Sequence, residues 1–319
     1  MRAARATWTA FLLLGSTTIA STAVQAPADV QASAEPKLDP ALIPKQKEQL
    51  KSHFNKVKIA GITILETPHF FLASTLEENK LRPMTTTLEK LVPVVRSPLG
   101  LAPGEVPWKG KLAICYLPEP RDFRTFVREI LQQQPERVHY VLDGDTPLLV
   151  TSGQAVGAAT EAERQQVVLT QVAQAFLKAK SPRAAQLPFW LTSAFGRVCL
   201  WRAEGLKSPR YTQYRKQVVQ LIRENRLKPS DLFSQELPEH PGVRVLAESF
   251  VEFLAFGPEA DKFLTLLSSF RPDENGQVSG VAAVLERLGL PLGPLEQQWR
   301  DWFQSKKPPA KKGPVSKQG

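Results

Sequence analysis

The chain reads as an α+β protein in which a small β-rich N-terminal lobe is followed by a mainly helical lobe. Two observations carry this expectation. Between residues 57 and 151, short runs rich in Val, Ile, Phe and Thr are separated by Pro and Gly turns, the pattern of strands. From residue 167 onward, apolar residues recur at three- and four-residue spacing between Pro and Gly breaks, the pattern of successive amphipathic helices.

Taken in order, Met1 to about Ala26 carries Arg2 and Arg5, the apolar Phe11-Leu12-Leu13-Leu14 core and a Ser/Thr/Ala-rich end, the pattern of a signal peptide. The run falls short of the roughly 20 apolar residues a membrane span needs, so an exported chain with no transmembrane span is expected, secreted or held in the periplasm or cell envelope. Residues 27–54 are expected to be a linker, because 27–45 are Pro- and Ala-rich with little periodicity.

The N-terminal lobe, residues 55–155, opens with β-like runs at Val57–Leu65 and His69–Ala73. A helical period at Leu76–Val95, the strand LAICYL from Leu112 and a helix at Asp122–Gln133 follow. Val138–Leu142 and Leu148–Thr151 flank Asp143-Gly144-Asp145 and read as a hairpin, the D-G pair supplying positive φ. The second lobe, residues 156–304, begins with two helices on either side of Pro182 and Pro188. On the first, Leu169, Val172, Ala173, Phe176 and Leu177 share one face. Helices at Arg210–Glu224, Val243–Phe256, Pro258–Phe270, Gly280–Leu288 and Leu295–Phe303 complete it, with a one-turn piece in LKPSDLF. Residues 305–319 are a Lys/Pro tail expected to be disordered.

The central pair carries a resemblance. TQVAQAF followed by LPFWLTSAFGRV resembles the zinc site of gluzincin metallopeptidases of the aminopeptidase type, HExxH and then a Trp-Leu-x-Glu-Gly-Phe-Ala-like helix. The spacing matches, with eighteen residues between Gln174 and Ser193. The C-terminal GVAAVLERLGLPLGPLEQQWRDWF is similar to the end of peptidase-MA-like domains of bacterial exported proteins, and the resemblance implies a zincin-like helical lobe. It places Thr170 and Gln174 at the two His positions, Gln171 at the general-base Glu and Ser193 at the ligand Glu.

All four positions have lost the side chain the chemistry needs. Zinc hydrolysis takes two imidazoles one helical turn apart and a carboxylate to accept a proton from bound water. An amide is no base near neutral pH, and Arg197 close to Ser193 repels a cation. The expectation is a metallopeptidase-like pseudoenzyme without cofactor or metal, with a binding or scaffolding role and an extended peptide or protein as partner in its cleft. Two other readings stay open. An active hydrolase would draw on Glu161, Glu163, Arg197 or Glu204; a structural cell-envelope protein would use its cationic tail on an anionic envelope polymer.

Other sites are thin. His53, His69, His139 and His240 are scattered, no two at ligand spacing, and Tyr211 and Tyr214 read as helix-packing residues. Of the formal net charge of +10, Arg2, Arg5 and the five tail lysines supply seven, so nucleic acid is not the expected partner. Cys115 and Cys199, the only cysteines, permit one disulfide in an exported chain and equally fit two buried thiols.

Overall fold

Three runs, FFLAS, LAICY and LLVT, are apolar on both faces, which requires cover on both sides of any sheet they form. The structure, a computed structural model that describes residues 39–155, 160–182, 185–233 and 240–305, places them as the inner strands of one five-stranded sheet. Its strands are β1 (Thr63–Glu66), β2 (Phe70–Ser74), β3 (Leu112–Tyr116), β4 (Val138–Val141) and β5 (Leu148–Thr151). The order is β1-β2-β3-β5-β4, with β2, β3 and β5 parallel and the edge strands β1 and β4 antiparallel to their neighbours.

Alternation along each strand sorts the core into two layers. Phe71, Ala73, Cys115 and Val150 face Leu50 and Phe54 of α1 (Leu42–Lys56) and Phe123 and Phe126 of α3 (Pro120–Phe126). Phe70, Leu72, Ile114, Tyr116 and Leu149 face the opposite layer. There Leu88 and Val92 of α2 (Glu78–Arg96) meet Val172 and Phe176 of α4 (Glu161–Lys180). Behind α4 the same cluster continues through α5 (Phe189–Glu204), α6 (Pro209–Glu224), α7 (Val243–Phe256), α8 (Phe263–Ser268), α9 (Val281–Arg287) and α10 (Leu292–Gln304). The α+β class thus holds, with the strands in the first half and helices in the second. One core crosses the expected lobe boundary at 155/156, which marks a change of element type.

Local signals explain the termini of the central pair. Thr160 and Glu163 form a reciprocal capping box at the start of α4, with Thr160 N–H donating to Glu163 Oε2 at 2.8 Å and Glu163 N–H donating to Thr160 Oγ1 at 3.2 Å. Ser181, extended before Pro182, ends it. Helix α7 is buried from Val245 to Ala255 without interruption, so Glu248, Ser249 and Glu252 are enclosed with its apolar residues.

Three expectations are corrected. The linker does not reach residue 54: residues 42–56 form α1, held by buried Gln46, Leu50 and Phe54. Its signal is weak because only this i, i+4 row of a Lys- and Gln-rich helix is covered, and Gln46 is enclosed through hydrogen bonds to the backbone of Lys111 and Asp145. The first strand starts at Thr63 and not at Val57, since Gly61, at φ +70, breaks the run. The disulfide is absent: Cys115 and Cys199 are both free and buried, and they belong to the two different core clusters. Burial pushes both thiols upward in pKa. The signal peptide and the Lys-rich positions of the tail lie outside the described residues. Among the described residues no helix is long and apolar enough to cross a membrane.

Candidate functional site

The two central helices touch at a glycine. A Cβ on Gly196 would lie 2.6 Å from the Thr170 carbonyl oxygen and 3.1 Å from Gln174 Cγ, so the α4–α5 crossing requires that residue. Ser193 stands one turn before Gly196 on α5 and shares its face. The structure therefore brings Thr170 and Gln174 against α5 at Gly196, with Ser193 one turn before that contact and held by Arg197. Gln171 is set apart: it is buried, and its Oε1 has no hydrogen-bond partner.

Thr170, Gln174 and Ser193 each already have a partner. Thr170 Oγ1 donates to the Gln166 carbonyl at 2.9 Å. Gln174 Oε1 accepts from the Tyr140 hydroxyl at 2.9 Å, across from the edge strand β4. Ser193 Oγ accepts from Arg197 Nη2 at 3.2 Å. Arg197 in turn lies 2.6 Å from Glu248 Oε1, an ion pair whose geometry is not that of a straight hydrogen bond. Burial pushes the Glu248 carboxyl up to about 7, against the pull of Arg197 and Arg244.

These donors do not fit zinc. They offer a hydroxyl, an amide oxygen and a second hydroxyl, all engaged within the protein, with a guanidinium against the last. Among the described residues no group of three or more His, Cys, Asp or Glu is placed to hold a metal ion. The carboxylates considered for hydrolysis also have partners. Glu161 takes the Tyr116 hydroxyl and Arg164, Glu163 caps α4, and Glu204 pairs with Arg210.

Beside the crossing runs a groove of about 980 Å³, bounded by β4, the residues before it, the C-terminal end of α4 and the start of α5. Tyr140, Lys178 and Thr192 line it, and Phe189 at its rim is 81% exposed. Lys178 Nζ lies over the Tyr140 ring at 5.2 Å. His139 also reaches the groove wall, but its Nε2 accepts from the Glu136 N–H at 3.0 Å while Nδ1 meets Gln133 Oε1 at 2.9 Å. That pair of partners fixes the neutral ring with its proton on Nδ1, and burial lowers its pKa.

The other singled-out residues serve packing. Tyr211 donates to buried Glu252 at 2.7 Å, and Tyr214 packs on Trp201 and Tyr211. His69 sits between Glu89 and Arg96, and His240 accepts from the Gly242 N–H. Sequence reasoning missed Tyr140, Lys178, Phe189 and Glu248. Only Phe189 had a local signal, a large apolar residue at the first position of a helix after Pro188. Compared with protein-family models, characterised proteins and solved structures, the chain matches none.

Proposed function

We propose that this chain is an exported, metallopeptidase-like pseudoenzyme that holds an extended polypeptide in the groove beside β4 and does not cleave it. The observation that carries the reading is the open sheet edge: β4 pairs with β5 on one side and, among the described residues, with no strand on the other. An extended segment laid along that edge gains backbone hydrogen bonds of about 0.5–1.5 kcal/mol each. Exposed Phe189 offers an aromatic surface for a side chain of that segment. The donors at the helix crossing support binding over catalysis, because none is a base or a metal ligand.

The test is a library of short unstructured peptides screened by fluorescence anisotropy, followed by backbone N-methylation of the best binder at single positions. Methylation at alternate amides should abolish binding and be tolerated between them, and mass spectrometry should find the peptide intact with added zinc. Indifference to N-methylation overturns edge pairing. Cleavage of the peptide overturns the pseudoenzyme reading.

A further inference from the structure

Within the helical half, α6 and the end of α10 border a second, shallow groove of about 580 Å³ whose charged residues are all cationic: Arg215, Lys216 and Arg223, beside Thr212, Gln220 and Phe303. Lys216 and Arg223 are exposed, and no carboxylate among the described residues pairs with either. Glu224, one position beyond Arg223, accepts from Gln220 and stays outside the lining. Arg215 is fixed in place, its guanidinium 4.3 Å from the Phe303 ring centre and donating to the Phe303 carbonyl at 3.2 Å.

We propose that this groove binds a linear polyanion bearing phosphate groups. Lys216 and Arg223 are two helical turns apart, about 10 Å along the axis, so a single small anion cannot engage both, whereas a chain of phosphates can. Phe303, 2% exposed and covered by Arg215, offers no platform for a nucleobase, which removes the main sequence-independent handle of single-stranded nucleic acid. Lys306 and Lys307 follow Phe303 within four residues in the sequence.

The probe is long-chain inorganic polyphosphate, titrated into the full chain across a range of salt concentrations. Binding should weaken with salt, and Lys216→Gln with Arg223→Gln should lower the slope of log affinity against log salt by about two, one per contact removed. Both side chains are exposed, and thermal melting checks that the variant is folded. Lys306→Gln with Lys307→Gln is the companion variant. If the groove pair binds as wild type does while only the tail pair is weakened, the proposal fails. It fails equally if a single-stranded oligonucleotide or phosphatidylglycerol vesicles bind more tightly than polyphosphate at matched charge.

Discussion

The Tyr140 hydroxyl, on the open edge strand, donates to Gln174 Oε1 on α4 at 2.9 Å, joining the groove to the helix crossing at one hydrogen bond. Tyr140→Phe leaves the Gln174 oxygen without that donor and should destabilise the fold by about 1 kcal/mol. Gln174→Leu made in the Tyr140→Phe background should cost little more than Tyr140→Phe alone, because the bond is already gone. Urea denaturation of the four proteins measures this directly. Additive costs would show that the two side chains do not interact.

The α4–α5 crossing depends on Gly196 because the obstacle to a Cβ there is backbone, the Thr170 carbonyl at 2.6 Å, which cannot rotate away. Gly196→Ala should destabilise by about 1–3 kcal/mol, the range for overpacking a filled core. Gly293, within α10, has nothing within 4 Å of its ideal Cβ. Gly293→Ala should therefore leave stability unchanged or raise it by up to about 1 kcal/mol. Melting temperatures that move equally for both would contradict the close approach.

Much of the fold was legible because its signals are local. Pro182 and Pro188 mark the break between the central helices, and α7 spans the residues its apolar run predicts. Helix α1 was not, since its burial depends on Gln46 meeting backbone of residues 65 and 99 positions away. At the candidate site, helical spacing is enough to put Thr170 and Gln174 on one face of α4, the face that meets Gly196. The groove was invisible because Tyr140 and Lys178 meet only through the packing of α4 beside β4, and the Arg197–Glu248 pair because its partners lie on different helices far apart in the chain.

Glu248 should make stability depend on pH. Its folded-state pKa, about 7, lies above the ordinary 4.5, so the folded protein favours the protonated form. The contribution is fully present below about pH 4.5 and is lost as pH rises through 7, a change on the order of 3 kcal/mol. Glu248→Gln cannot ionise. The stability of wild type relative to this variant should therefore fall between about pH 4.5 and 7. His53 and His139, both lowered by burial, carry the opposite sign and cancel in the comparison. Parallel stability curves for the two proteins would place the titration elsewhere.

Both cysteines are free thiols in separate core clusters. Alkylation of the purified protein without reductant should be slow under native conditions, since burial raises both thiols and suppresses the thiolate. In denaturant, still without reductant, both should label. Mass spectrometry showing no label in denaturant would mean a disulfide had formed.

The last expectation concerns the positions matched to the metallopeptidase site. Residues 170 and 174 are one turn apart on α4, and Ser193 shares the face of Gly196 that meets them, so Thr170→His, Gln171→Glu, Gln174→His and Ser193→Glu together should create a zinc site. Two features of the structure oppose it. Tyr140 now donates to Gln174, and a hydroxyl in that place competes for an imidazole nitrogen. Arg197 stands against residue 193 and would pair with the new carboxylate before a cation could. Missing partners to orient the imidazoles alone reduce affinity by about 10- to 100-fold. The expected result in calorimetric titration is one weak site per chain in the quadruple variant and none in wild type. Tyr140→Phe added to the four should tighten that site by freeing residue 174. A variant that melts as wild type does yet takes up no zinc would show that the four positions do not converge on one point, and the resemblance in spacing would then carry no structural meaning.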